Sequence, residues 1–446
     1  MGGGMDDVFS AIAGAPVWLI ILAGVCLYLG VVGGLRLFLR PALANNLDPL
    51  NIRILVFTGP AVVGLLLLPF LIRSTWESYS LILLFMAAWF VIMRVAGKPA
   101  TIDLRDRMGS TFQGTLLILT MFIILAHVMV NMIIPGKIPL LMEGGGLNSR
   151  FEATENSRLL TWLSFATTPM AGLIYAVTED LRIRKFAAFA VGFQIAENLL
   201  FASKAGILTI LFVFLNALFI ASLRNDRARY KSIRLKLVIS LAVIALLAPL
   251  YLSVIGAGSG LAAGGLLAVR FFGGFDQLIF ASIFDLLPHH GFDSVIQPNL
   301  FEYQLMPFFK LFLSHQYDYS NIGQYIVEFI TGSSVDGAAT YPNSNLILET
   351  VFTSGKYPGA LLFLLELSLF YWCRRRVLAR PITPFSLVFV QAVIFDPTGL
   401  FASGQDWVME TILLFVVITA AFVLSKLWAS MASGLRNTQV GAPSVS

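Results

Sequence analysis

Eleven apolar runs, most of them close to the length needed to cross a bilayer, dominate this chain of 446 residues. They are 17–38, 54–72, 80–95, 113–134, 159–177, 186–202, 205–223, 237–255, 359–372, 385–401 and 408–427. About 20 apolar residues in a helix cover the roughly 30 Å of hydrocarbon in a membrane. Hydrophobic residues make up 57% of the chain and charged residues only 12%. The runs show no period-2 alternation, which argues against a β-barrel. The expected fold is therefore all-α: a polytopic membrane protein of about 11 transmembrane helices.

The stretch 257–356 breaks the pattern. It holds three of the four histidines, several aspartates and many aromatics, and no convincing span. This divides the chain into N-terminal spans (1–256, about eight), a long polar loop (257–356) and C-terminal spans (357–446, about three). The composition of the loop suits helices lying on the membrane surface, or re-entrant pieces covered by protein.

Charge placement predicts the orientation. Basic residues gather in alternate connections: Arg36, Arg40 and Arg53; Arg94, Lys98, Arg105 and Arg107; Arg182, Arg184 and Lys185; Arg224 to Lys236; and Arg374, Arg375, Arg376 and Arg380. The positive-inside rule puts these on the cytoplasmic side. The N-terminus and the long loop then face outward, and the C-terminus faces the cytoplasm. The opening MGGGMDDVFSAIAG has no basic n-region, and the run after it is too long for an h-region, so no cleaved signal peptide is expected. Cys26 and Cys373 fall in or beside separate spans, which implies neither a disulfide nor a metal framework.

Three outward elements carry candidate chemistry. Loop 136–158 presents Arg150 after a glycine run. The turn Ser203-Lys204 places a lysine on the side where the positive-inside rule disfavours one. The long loop opens with glycines (258, 260, 264 and 265) around Arg270. Arginine forks and a lysine point charge suit phosphate oxygens, so Arg150, Lys204 and Arg270 together would hold a pyrophosphate. Taken singly, a cation pairs as readily with a local acid, Arg150 with Glu152 and Arg270 with Asp276.

Glycosyl transfer from a pyrophosphate donor needs a cationic cradle for the leaving group and a base for the acceptor hydroxyl. His315, Asp318, Asp336 and Glu349 are the candidate bases, and His315 and Asp336 are preferred. His289-His290 lacks a third ligand at useful spacing, and no metal or cofactor is expected. His127 and Asn131 share one helix face and read as an interhelical hydrogen-bonding pair. Glu197, Glu366 and Asp396 lie in or near spans, where acids are functional suspects.

The order of these elements resembles the O-antigen polymerase (Wzy) family. The resemblance rests on NSR with Arg150, ASKAG with Lys204, AVRFFGGFDQ with Arg270 and the closing YPNSNLILETVFTSGKYPGAL, over roughly residues 110–400. It implies a metal-independent membrane glycosyltransferase of the bacterial inner membrane. Such an enzyme polymerises polyprenyl-pyrophosphate-linked oligosaccharide repeat units at the outer face, and a polysaccharide chain-length regulator is a plausible partner. Tyr317, Tyr341, Asn343 and Asn345 would then contact sugar. Related ligases, which transfer glycan to lipid A core, place histidine in the closing motif. This chain has Tyr341-Pro342-Asn343-Ser344-Asn345 there, which favours the polymerase. A lipid-linked oligosaccharide flippase or proton-coupled transporter is the other alternative.

Overall fold

A backbone surrounded by hydrocarbon must satisfy its own hydrogen bonds, which selects helix for apolar runs of this length. The computed structural model describes residues 17–71, 76–97, 109–136, 138, 158–200, 204–254, 276–287, 294, 296, 299–313, 322–332 and 345–440. Among these residues the chain is all-helical, without a β-strand.

The apolar runs fall on helices. They give α1 (Val17–Leu39), α2 (Pro49–Arg53), a π-helical turn (Ile54–Thr58), α3 (Gly59–Leu71) and α4 (Trp76–Ala96). Next come α5 (Ser110–Val128) with a π-helical turn (Met129–Ile133), α6 (Arg158–Val177), α7 (Leu181–Leu200), α8 (Lys204–Leu223) and α9 (Arg227–Val254). Four short helices follow: α10 (Asp276–Ile283), α11 (Leu300–Leu313), α12 (Ile322–Thr331) and α13 (Leu346–Ser354). The chain then forms α14 (Lys356–Leu378), α15 (Ser386–Phe389), a π-helical stretch (Val390–Phe395), α16 (Gly399–Ala402) and α17 (Gly404–Val440).

Among the described residues, five stretches are long and apolar enough to cross a membrane: Gly24–Ala42, Pro49–Leu66, Glu77–Ala96, Ser110–Ile133 and Gly404–Trp428. Ala166–Val177, Ile210–Leu223 and Ser386–Phe395 are shorter apolar helices. The run 385–401 is not one helix. Proline at 397 has no N–H to donate and pushes Asp396 out of the helical region, so the chain breaks between Phe395 and Gly399.

The surface supports membrane embedding. On α14, Leu361, Leu365 and Leu369 are exposed on one face, while the charged Arg374 is wholly buried. Leu84, Val91 and Val95 on α4 and Ile118, Phe122 and Leu125 on α5 are also exposed. Apolar stripes outside and charges inside suit hydrocarbon, not water, as the surroundings.

The chain forms two compact units. The first comprises Met1–Ile102, Gly256–Ala379 and Ala392–Met409; the second comprises Asp103–Ile255, Arg380–Gln391 and Glu410–Ser446.

In the first unit α4 and α14 run parallel, as their contacts show in order. Lys356 Nζ lies 3.8 Å from Glu77. Farther along, the Phe85 and Phe363 rings meet edge to face at 5.0 Å. Trp89 Nε1 donates to the Tyr371 hydroxyl at 2.9 Å, and that hydroxyl donates to the carbonyl of Pro397 at 3.0 Å. At the far end Arg374 reaches the carbonyls of Ala42 and Gly97. The short helices pack towards the starting end: the Ser78 amide donates to Asp285, and the Leu287 amide donates to the Ser78 hydroxyl.

The second unit is built on α5 to α9. Gly172 of α6 lies against α8 so closely that a Cβ there would stand 2.5 Å from Val213 Cγ1. Buried alanines at 166, 171, 176, 187, 190, 217 and 221 serve the same close approach. At the end of α6, Arg224 and Arg229 donate to the carbonyls of Val177 and Ala176. They satisfy acceptors that a helix C-terminus leaves open.

Candidate functional site

Helix α13 is where the closing motif meets the rest of the first unit. Asn345 caps its start in an extended conformation, with Oδ1 accepting from the Ile347 amide at 2.9 Å. Leu346 to Thr353 are all buried, and Thr350 and Thr353 turn their hydroxyls back onto the carbonyls of Leu346 and Glu349. The acid of this helix, Glu349, is completely buried and so must find partners inside.

Glu349 Oε1 accepts from the backbone amide of Gly404 at 3.1 Å. That amide opens α17 and is among the donors a helix start leaves unsatisfied, and the helix dipole favours an anion there. Glycine suits the approach: a Cβ on residue 404 would lie 2.4 Å from Glu349 Oε2 and 2.9 Å from Gln304 Nε2, so both side chains would have to shift. Gln304, on α11, donates through that same Nε2 to both carboxylate oxygens of Glu366, at 3.1 and 3.4 Å. Gln405 Nε2 ties α17 to the carbonyl of Tyr303, whose hydroxyl accepts from the Ile322 amide at the start of α12.

Helices α11, α13, α14 and α17 thus bring an amide and two carboxylates to one place in an apolar molecule. Glu349 is completely buried, Gln304 nearly so, and Glu366 is half-buried. Two side-chain amides, Asn345 and Gln304, and two carboxylates offer both donors and acceptors, the set that hydroxyl groups need.

No family model matches the chain, and no curated protein or solved structure is similar to it at a significant level.

Other ionic pairs lie elsewhere among the described residues. Arg374 and Asp48 form a sealed pair in the first unit. Arg53 Nη2 lies 3.0 Å from Asp396 Oδ1, beside the break at Pro397. In the second unit His127 Nδ1 bonds the Glu197 carboxylate, both buried, while Asn131 Nδ2 donates to the His127 carbonyl. The expected His127–Asn131 pairing is therefore a side-chain-to-backbone bond within one element, and the interhelical partner is Glu197. A π-helical turn adjoins each of Arg53, Asp396 and His127. Such turns are frequent at functional sites.

Of the residues expected to form the site, Asn345 is described in full and caps α13. Lys204 opens α8, and its side chain lies outside the described residues. Arg150, Arg270, His315, Asp336, Tyr317, Tyr341 and Asn343 lie outside the described residues, as do Asp318, His289 and His290. Among the other expected candidates, Glu349 and Glu366 are in the cluster. Sequence reasoning did not select Gln304 or Gly404. Gln304 carries a weak signal, as an amide in the apolar LFEYQLMPFFKLFL. Among the described residues no group of three histidine, cysteine, aspartate or glutamate side chains could hold a metal ion.

Proposed function

We propose that this chain is a membrane glycosyltransferase that polymerises polyprenyl-pyrophosphate-linked oligosaccharide repeat units at the outer face of a bacterial inner membrane. The observation that carries this reading is the placement of α10 to α13. These helices have 8, 14, 10 and 9 residues, too short to span hydrocarbon. They pack towards the end of the first unit where α4 and α14 begin. The basic residues Arg94, Arg375 and Arg376 lie at the other end of those helices. The positive-inside rule makes that basic end cytoplasmic and turns the short-helix layer outward. A protein layer on the outer surface, with an amide–carboxylate cluster at its base, suits work on a lipid carrier whose sugar stands at that surface.

In this reading Arg150, Lys204 and Arg270 hold the pyrophosphate, and His315 or Asp336 activates the acceptor hydroxyl. The acceptor oxygen attacks the anomeric carbon of the donor sugar as the bond to pyrophosphate breaks. The pyrophosphate leaves on its carrier lipid with the bonding electron pair, and the acceptor proton passes to the base. Tyr317, Tyr341, Asn343 and Asn345 contact sugar.

The test uses purified protein in nanodiscs, supplied with a polyprenyl-pyrophosphate oligosaccharide from the same cells. A ladder of products that disappears in Arg270→Ala supports both reaction and pyrophosphate site. A ladder that persists in that variant removes Arg270 from the site. Transfer only when lipid A core is added makes the protein a ligase.

A second reading, a proton-coupled carrier of lipid-linked oligosaccharide, is favoured by one feature. The stretch from Ser386 to Ala402 is broken at Asp396-Pro397, and Asp396 pairs with Arg53. Discontinuous helices bearing ionisable groups mark many carriers. Asp396→Asn abolishes proton-driven uptake into vesicles in that case and leaves polymerisation largely intact in the other.

A further inference from the structure

Resting on the glycosyltransferase reading, we infer that Asn345, Gln304 and Glu366 form a subsite for the hydroxyl groups of a neutral sugar, separate from the pyrophosphate cradle. Two independent observations converge on it. The first is the Gln304–Glu366 pair: one amide nitrogen serves both oxygens of a carboxylate that is only half-buried, which leaves those oxygens capacity to accept from a ligand. The second is Asn345. Its Oδ1 is used as the helix cap, but its Nδ2 has no hydrogen-bond partner, although the residue is only 2% exposed. Leaving a buried amide donor unmade costs about 1–3 kcal/mol, so such a group is commonly completed by something that binds.

The chemistry selects the ligand class. Asn345 stands one helical turn before Glu349, whose amide donates to its carbonyl at 2.9 Å, so both belong to the same face of α13. That face meets Gln304 and the start of α17. A sugar hydroxyl is donor and acceptor at once. One hydroxyl of the sugar can donate to the Glu366 carboxylate while another accepts from Asn345 Nδ2. Two carboxyl groups at the site, with no cation among its described residues, give a pyrophosphate or a uronic acid nothing to pair with, so the neutral hydroxyl-bearing end of the substrate belongs here. Gly404 lets Glu349 and Gln304 come close together, because a Cβ there would strike both.

The experiment measures binding to the intact protein in nanodiscs, with two probes: polyprenyl pyrophosphate carrying a neutral oligosaccharide, and the same lipid without sugar. Wild type is expected to bind the sugar-bearing lipid more tightly. Glu366→Gln and Asn345→Asp each lose about tenfold or more of that preference, the size of a hydrogen bond to a charged group. Asn345→Asp keeps the cap oxygen and so keeps the helix start, while an acidic oxygen replaces the amide donor. Binding of the sugarless lipid stays unchanged in both variants. Equal binding of the two probes by wild type overturns the inference, as does a full sugar preference in both variants. A sugar preference lost in the variants, with no product ladder from wild type, sustains the subsite and sinks the polymerase.

Discussion

Arg374 Nη2 lies 2.6 Å from Oδ1 and 2.7 Å from Oδ2 of Asp48, and both side chains are completely buried. The pair ties four helix ends together. Asp48 accepts from the amides of Leu50 and Ala44 and so caps α2. Arg374 Nη1 reaches the carbonyls of Ala42, after α1, and Gly97, after α4. Each charge is thereby supplied with partners, the condition under which a buried ion pair is tolerated.

Breaking this pair from one side leaves the other charge stranded. Arg374→Met or Asp48→Leu alone is expected to cost about 3–5 kcal/mol. The double variant keeps no stranded charge and is expected to be more stable than either single one, though it still loses the α2 cap, worth about 1 kcal/mol. Thermal unfolding in one detergent checks the order. A double variant no better than the worse single one removes the argument.

Gly355 joins α13 to α14 with φ +82° and ψ 163°. Side chains other than hydrogen are strained there by about 1–3 kcal/mol. Four residues on, a Cβ at Gly359 would stand 2.4 Å from the carbonyl oxygen of Thr350 and 2.8 Å from Val351 Cα. The two helices therefore approach backbone to backbone. Gly355→Ala and Gly359→Ala should each lower the unfolding temperature. Both should also increase hydrogen exchange in 345–356 more than in α4. Unchanged exchange in both variants would contradict the close packing.

The helices were legible because hydrocarbon leaves a backbone few options, so the apolar runs fall largely on helices, with ends displaced from those of the runs. Their number as spans was not settled by that logic: α7 and α9 carry basic residues within their length, and 386–402 is broken. Asp396-Pro397 announces that break in the sequence, but the apolar residues around it hide it from a hydropathy reading. The cluster was half legible. Glu349 and Glu366 are isolated acids among apolar neighbours and draw attention for that reason. Gln304 and Gly404 meet them only through folding, across sequence separations of about fifty residues or more, and no local pattern encodes such a meeting. A glycine at a helix start reads as a turn until the carboxylate in contact with it is seen.

Arg229 shows how the second unit closes the end of α6. Its Nη1 donates to the Ala176 carbonyl, its Nη2 lies 3.3 Å from Glu179, and its Nε lies 3.2 Å from Asp226. Lysine cannot reproduce that planar fork. Arg229→Lys should therefore recover little of the loss caused by Arg229→Ala, about 1.5–3 kcal/mol for charge-assisted bonds. Limited proteolysis near residues 177–181 reads the loosening. Full rescue by lysine would show that charge alone is what matters there.

His127 and Glu197 join α5 to α7, each less than a tenth exposed. The hydrogen bond between them satisfies a buried atom on each side, so a partner that still accepts is expected to hold the fold. Glu197→Gln keeps an acceptor and is expected to cost less than about 1.5 kcal/mol, whereas Glu197→Leu removes this buried hydrogen bond and costs about 1–3 kcal/mol. The functional consequence separates the two readings of the chain. A polymerase does not need this carboxyl to titrate, so Glu197→Gln should retain elongation close to wild type in nanodiscs. A proton-coupled carrier relays protons through such a group, and the amide would stop it. A Glu197→Gln variant that unfolds at the wild-type temperature but makes no product would place the pair in the working machinery and count against a purely structural role.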